Sequence, residues 1–419
     1  MASGFPVAFC FLLLNCVASF LFWGIDGPTQ LILSIRESVV SFSILPVPLF
    51  ILMGTVMFYS GIAPVVIDAL DRWLGRLPGR LSLLAVGGGT LLSTLTGASM
   101  ASVAILGSSL VPEMEKRGYQ KPMSLGPILG SGGLAIMIPP SGLAVLVGAI
   151  GEISIGKILL AIIIPGFLMA TLYALYIVIR CMLQPQLAPT YEFKAVTIME
   201  KIIPTVRYVL PLAVVIFLVV GVIFLGVATP TEAAATGALG TFGLVFLYGR
   251  LNWQVVRKAV AEGVWSSGMV LMVILGARGF SEVLAFSRAS SGLAEFAMGL
   301  EVAPIILIIF MQVVILIMGM FMSPSAILMV ILPLFMPIIR SFGFNEIWFA
   351  VITLINIEMA TTSPPFGLNL FVMKGSAPSG TTMGEIYRAA LPFLFCDLIA
   401  MAMIFIFPSL ALWLPEVGH

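Results

Sequence analysis

IPPSGL at residues 138–143 and SPPFGL at residues 363–368 stand 225 positions apart, and each interrupts a long apolar stretch near its middle. The stretches are 122–150 and 346–374. Proline lacks the amide donor, and its ring clashes with the preceding turn, so two in succession stop a helix. Both stretches therefore read as broken helices. Other punctuation coincides at the same shift of 225: Pro112 with Pro337, Gly118 with Gly343, Tyr119 with Phe344, and Ala101 with Ala326. The apolar span 4–24 falls on the span 228–249, so the repeat covers nearly the whole chain.

Outward from the breaks, the chain is apolar almost throughout. Of 419 residues, 60% are hydrophobic and 9% charged, against about 25% charged in soluble domains. A soluble protein could not cover such a core with polar surface. A spanning helix needs about 20 apolar residues. The spans predicted on that basis are 4–24, 38–62, 158–180, 207–226, 228–249, 263–287 and 388–414. Two stretches, 79–118 and 303–342, are too long for one span and have Gly/Ser/Pro-rich middles, GASMAS at 97–102 and MSPSA at 322–326. They read as re-entrant hairpins, since irregular backbone at membrane depth is tolerated only where protein or a cavity covers it. Segments 63–77 and 288–300 read as amphipathic interfacial helices. There, Asp68 and Asp71 sit among Arg72 and Arg76 and are expected on a solvated face.

The expected fold is all-α: a polytopic membrane protein with inverted structural repeats, two re-entrant hairpins and two broken transmembrane helices. The first repeat is 1–183, a connecting segment and extra span fill 184–227, and the second repeat is 228–419. Span 207–226 has no counterpart, so an odd number of crossings separates the halves and their orientations are opposite. With the N-terminus inside, Arg36, Lys157, Arg278, Arg288 and Arg340 fall outside and the other fifteen of the 20 basic residues inside. The positive-inside rule favours this orientation.

Inverted repeats with broken helices at matching positions point to a secondary transporter that binds at the midplane. A break leaves carbonyl oxygens, which with Ser/Thr hydroxyls are hard ligands for Na⁺, and leaves half-helix N-termini that attract a carboxylate. The first half offers Gly97, Ser99 and Ser102 at its hairpin tip, with Ile138, Pro139 and Ser141 at its break. The second offers Met322, Ser323 and Ser325, with Thr361, Thr362, Ser363 and Gly367. Each set is expected to build one cation cage, with an anion in the groove between. Glu358 and Asp397 are intramembrane acids and hence functional candidates, for a proton or a cation.

Several classes fall away. The one histidine is His419 at the end of the chain, so His-based catalysis and zinc sites have no residue to use. Cys10, Cys16, Cys181 and Cys396 show no CxxC spacing and read as small apolar residues. An intramembrane enzyme would need a Ser/His or paired-Asp dyad, and a net charge of +1 gives no reason to expect nucleic acid. GEISIGK at 151–157 approaches a phosphate-binding loop, but Ile158 replaces the Mg²⁺-holding Ser/Thr. No cleavable signal pattern is seen, because the first apolar run lacks a basic leader. A passive channel remains as a rival, distinguished by conductance without saturation.

The combination of GASMASVAILGSSLVPEMEKRGYQK at 97–121, LGSGGLAIMIPPSG at 129–142, SIGKILLAIIIPG at 154–166, FMSPSAILMVILPLFMPI at 321–338, TSPPFGLNLFVMKG at 362–375 and GFPVAF at 4–9 resembles the large membrane subunit of TRAP transporters. The resemblance runs from about residue 4 to 414. It implies a bacterial inner-membrane importer of organic anions, such as dicarboxylates or sialic acid, coupled to Na⁺. It also implies a soluble periplasmic substrate-binding protein and a small four-helix membrane subunit. The hairpins and broken helices would move together as an elevator, with Na⁺ at the tips and breaks named above. Relatives often carry an acid where this chain has Ser323, which leaves the coupling at the second site open. No four-helix segment precedes residue 4, so the small subunit is expected not to be fused at the N-terminus. The closest rival is a stand-alone Na⁺/carboxylate symporter.

Overall fold

The computed structural model describes residues 7–40, 44–75, 77–96, 99–189 and 197–418, and they form an all-α protein. The first helices are α1 (Val7–Trp23), α2 (Gly27–Val40), α3 (Pro46–Ser60) and α4 (Ala63–Leu74). The first hairpin is α5 (Arg80–Thr96) and α6 (Ser99–Lys116); the first broken helix is α7 (Lys121–Met137) and α8 (Gly142–Gly151). Then come α9 (Ile155–Ala161) and α10 (Ile163–Leu183). A further span is built of α11 (Ile198–Pro204), α12 (Leu210–Ile216) and α13 (Val222–Phe224), joined by two π-helical turns. The second half holds α14 (Pro230–Leu247), α15 (Trp253–Phe286) and α16 (Ala289–Gly299). Its hairpin is α17 (Pro304–Gly319) and α18 (Pro324–Ser341), and its broken helix is α19 (Glu346–Thr362) and α20 (Leu368–Ser376). The chain ends with α21 (Met383–Ile406) and α22 (Ser409–Val417).

Helix bounds coincide at the 225-residue shift. Ser99–Lys116 falls on Pro324–Ser341 and Lys121–Met137 on Glu346–Thr362, residue for residue. Both Pro-Pro bonds, Pro139-Pro140 and Pro364-Pro365, are cis. The α2–α3 pair of the first half falls on the single 34-residue α15.

Four expectations about span limits are corrected. Residues 27–40 form a helix of their own, and the next begins at Pro46 instead of 38. Gly24 (φ 65°) turns the chain so tightly that a Cβ on Gly27 would meet the Ser19 carbonyl at 2.1 Å, so α2 folds back on α1. The predicted span 263–287 starts at Trp253, because the Asn252 side chain accepts from Val255 N at 2.9 Å and caps the helix. The predicted 207–226 starts at Ile198, where Thr197 and Glu200 form a capping box. The predicted 388–414 starts at Met383 through the Thr382–Glu385 box and breaks before Pro408.

The centre of the molecule is α7, whose residues Met123 to Met137 are all buried. Its glycines let neighbours approach. A Cβ at Gly126 or Gly130 would lie 2.5 or 2.7 Å from the ring of Phe393, which covers that ridge from α21. The ring is itself held edge-on by Tyr173 and Tyr176 of α10, with centroids 5.3 Å away. At the end of α7, Gly166 of α10 abuts the Met137 carbonyl, where a Cβ would come within 2.3 Å.

The expectation for the interfacial acids holds for one of the two. Asp68 pairs with Arg72 at 3.6 Å, three-quarters exposed. Asp71 instead bonds Arg80, with Nε donating to Oδ1 at 2.9 Å and Nη2 to Oδ2 at 2.5 Å. Arg80 is buried at the start of the hairpin, so this bidentate pair fastens α4 to α5. GEISIGK forms the turn from α8 into α9: Glu152 is left-handed at φ 58° and Ser154 caps the next helix.

Candidate functional site

The two broken helices meet where the sequence repeat relates their residues. A Cβ on Gly133 of α7 would lie 2.1 Å from Glu358 Oε1 and 2.4 Å from its Cγ, on α19. Gly133 and Glu358 are 225 positions apart. The Glu358 side chain is 1% exposed, and its Oε2 has no hydrogen-bond partner among the described residues. The second acid that the sequence singles out, Asp397, is buried and accepts from the Tyr173 hydroxyl.

At the second break, the side chains turn back onto their own helix. Thr361 Oγ1 donates to the Glu358 carbonyl at 2.8 Å, and Thr362 Oγ1 to the same carbonyl at 3.1 Å. Such bonds use the hydroxyl proton and leave lone pairs to accept or to ligate. Ser363 ends α19 in extended backbone and Gly367 opens α20. Gly367 is forced by packing: a Cβ there would stand 2.6 Å from the Thr361 carbonyl oxygen and 2.8 Å from that of Ser363. The backbone oxygens of the break thus converge on one small residue.

The tips reach these breaks. From the second tip, a Cβ on Gly319 would come within 2.2 Å of the Ala360 Cβ, and Phe321 packs on Phe366 with centroids 5.3 Å apart. Met322, Ser323 and Ser325 are half-buried, and Ser323 is the N-cap residue of α18 without a side-chain cap bond. From the first tip, Ser99 Oγ accepts from Asn369 Nδ2 at 2.8 Å, and the same Nδ2 donates to Thr361 Oγ1 at 3.3 Å. Ser99 therefore joins the second break. It also lies on the first broken helix, its Oγ 3.4 Å from a Cβ built on Gly132. Ser102 is buried in the next turn of α6, and Gly97 lies outside the described residues. At the first break, Ile138 is extended and Pro139 follows. Ser141 caps α8, its hydroxyl oxygen accepting from Ala144 N at 3.3 Å.

Sequence reasoning missed Asn369, which is fully buried at the centre of this arrangement. The available signal was an amide two residues beyond Gly367 in an otherwise apolar run. It also missed the joint between α17 and α19, where Asn356 Nδ2 donates to Gln312 Oε1 at 2.8 Å and Gln312 Nε2 to Thr353 Oγ1 at 3.3 Å. The groups gathered here are carbonyls, hydroxyls and an amide, which are neutral hard donors; no group of three or more His, Cys, Asp or Glu able to hold a metal occurs among the described residues.

The model of the family described as tripartite ATP-independent periplasmic transporter, DctM component, matches residues 1–410. The chain belongs to this family. As a TRAP large permease it is a transporter subunit, not an enzyme, and a multi-pass protein of the bacterial inner membrane. It is 31% identical over 394 residues to the C4-dicarboxylate TRAP transporter large permease protein of Pseudomonas aeruginosa, covering 93% of this chain and 90% of that one. It is 26% identical over 423 residues to the sialic acid TRAP transporter large permease protein of Vibrio cholerae, covering 99% and 96%. Its fold resembles that of the YdaH transporter of Alcanivorax borkumensis, with a TM-score of 0.68 over 99% of this chain and 100% of that one at 16% identity. Helices of this permease long and apolar enough to cross a membrane include Ile155–Leu183, Ile198–Phe224, Trp253–Phe286 and Met383–Ile406.

Proposed function

We propose that this TRAP permease imports an organic anion, a dicarboxylate, sialic acid or similar carboxylate, by coupling it to Na⁺. The named relatives transport C4-dicarboxylates and sialic acid. The solute is delivered by a soluble periplasmic binding protein, and a small four-helix membrane subunit braces the permease. The observation that carries the coupling is the convergence of a hairpin tip on a helix break through Ser99, Asn369 and Thr361. Oxygen ligands for a small cation thereby come from segments distant in sequence, so cation binding fastens the tip to the break. Na⁺ is held by oxygens of Gly97, Ser99 and Ser102 with Ile138, Pro139 and Ser141 in one half. In the other it is held by Met322, Ser323 and Ser325 with Thr361, Thr362, Ser363 and Gly367. The anion lies in the groove between.

The contact of Gly133 with Glu358 supports a two-fold relation between the halves, since a two-fold axis brings equivalent positions face to face, and the odd number of crossings between the halves makes that relation an inverted one. The matching helix bounds support the same reading, and the hairpins and broken helices then move as one elevator domain. The stand-alone symporter is not favoured, because the named relatives are large subunits of multi-part systems. The test is uptake into proteoliposomes holding this permease and its small membrane partner, with a carboxylate panel and a controlled Na⁺ gradient. Uptake is expected only with the loaded binding protein and an inward Na⁺ gradient. Saturable uptake from free solute would overturn the dependence on a binding protein, and uptake indifferent to Na⁺ would overturn the coupling.

A further inference from the structure

Asn369 is fully buried, and its carboxamide is only half used. Nδ2 donates to Ser99 Oγ at 2.8 Å and to Thr361 Oγ1 at 3.3 Å, while Oδ1 has no hydrogen-bond partner among the described residues. The direction of the amide is set by its neighbours. The Thr361 hydroxyl proton already goes to the Glu358 carbonyl, so Thr361 can only accept from Asn369. A buried amide oxygen without a partner is costly and calls for a ligand.

The bridge occurs once. At the 225-residue shift, Ser99, Thr361 and Asn369 correspond to Pro324, Ile136 and Ala144, none of which has a polar side chain. The backbone pattern repeats, but this polar joint does not. It ties the tip of the first half to the break of the second, across 270 positions of chain.

We propose that Asn369 is a positioning residue that couples cation binding at the first hairpin tip to cation binding at the second helix break. The inference rests on the Na⁺ reading above. A cation drawn to Oδ1 polarises the amide, which strengthens the N–H bonds to Ser99 and Thr361 and draws both hydroxyls into place. Occupancy at the first tip thereby orders the Thr361 end, and linkage requires the reverse effect to be equal. With Ala144 in the corresponding place, the first break has no such tie to the second tip. The coupling runs along one diagonal of the repeat.

The test is a Na⁺ titration of uptake by the reconstituted complex with its loaded binding protein. For the native protein the dependence is expected to be cooperative. Asn369→Ala is expected to raise half-saturating Na⁺ by about 5- to 30-fold, the equivalent of one lost bond. It should also bring the Hill coefficient down toward one, with a change in half-saturation larger than the change in maximal rate. A variant that loses maximal rate while keeping half-saturation and cooperativity would show a merely structural side chain and overturn the proposal. If Asn369→Ala does not fold, Ser99→Ala and Thr361→Ala, singly and combined, decide. Joint effects smaller than the product of the single ones support the bridge, and independent multiplication overturns it. Native uptake that ignores Na⁺ would overturn the coupling reading and this inference with it. Na⁺-dependent native uptake with an unaltered Asn369→Ala titration would overturn the bridge alone.

Discussion

Adding one methyl group at Gly133 tests the crossing of the broken helices. In Gly133→Ala, the new Cβ would stand 2.1 Å from Glu358 Oε1, 2.3 Å from Cδ and 2.4 Å from Cγ. Unstrained contacts between such atoms lie at about 3.5 Å or more, so the overlap exceeds about 1 Å at three successive atoms. A surface glutamate would swing aside. Here the side chain is 1% exposed and Cγ is among the clashing atoms, so a terminal rotation does not clear the methyl. The helices must separate, and overpacking of this kind costs about 1–3 kcal/mol. Gly133→Ala is therefore expected to lower the thermal unfolding midpoint of the purified complex and to reduce uptake. Glu358→Ala removes all three clashing atoms. The double variant should then be more stable than Gly133→Ala alone, with a favourable interaction of about 0.5–3 kcal/mol in the cycle. The assay is thermal unfolding of the four proteins in detergent, alongside proteoliposome uptake. Simple additivity, or a double variant less stable than Gly133→Ala, would refute contact between these two positions.

Three further outcomes are expected. With native cysteines removed, Thr190→Cys should react with an impermeant thiol reagent only from the inside and Glu416→Cys only from the outside. The opposite pattern would overturn the orientation drawn from the fifteen-to-five charge distribution. Asp71→Asn replaces one half of the bidentate pair with buried Arg80 and should destabilise the complex by about 1.5–3 kcal/mol, the usual range for bonds to a charged group. An unchanged unfolding midpoint would show that the pair does not fasten α4 to α5. Gly367→Ala sets a methyl 2.6 Å from the Thr361 carbonyl oxygen and should raise half-saturating Na⁺ more than it reduces expression. Equal Na⁺ affinity in this variant would show that the break's carbonyls do not hold the cation.

What could be read from the sequence is what breaks helices, because that information is local. The Pro-Pro pairs, the Gly/Ser/Pro tips and their common shift describe the hairpins and broken helices to within a few residues. Helix starts were less legible. Asn252, Thr197–Glu200 and Thr382–Glu385 carry three helices upstream through polar residues, where hydropathy has no signal but a satisfied backbone amide has weight. The fold-back of α2 on α1 depends on Gly27 touching the Ser19 carbonyl, a contact that no periodicity encodes. The candidate site was legible as two sets of oxygen-bearing residues. That Ser99 lies with Thr361 was not, because the contact passes through Asn369, distant from Ser99 in sequence.

The two halves differ in their side chains where α7 and α19 cross. Where α7 and α19 cross, two long side chains cannot occupy the same space, and a glycine on one helix leaves room for a large side chain on the other. Gly133 and Glu358 make such a pair, which places one buried carboxylate at the crossing. The helix pairs beside the crossing differ between the halves as well. In the first half, Ser131 faces Gly89, where a Cβ would come within 2.1 Å of its Oγ. The corresponding helix pair in the second half is joined instead by Asn356 and Gln312. The larger polar side chains thus stand in the second half, on α17, α19 and α20. Helices with matching bounds thus carry side-chain chemistry that does not match, and the polar bridge at Asn369 lies on the side where the polar groups collect.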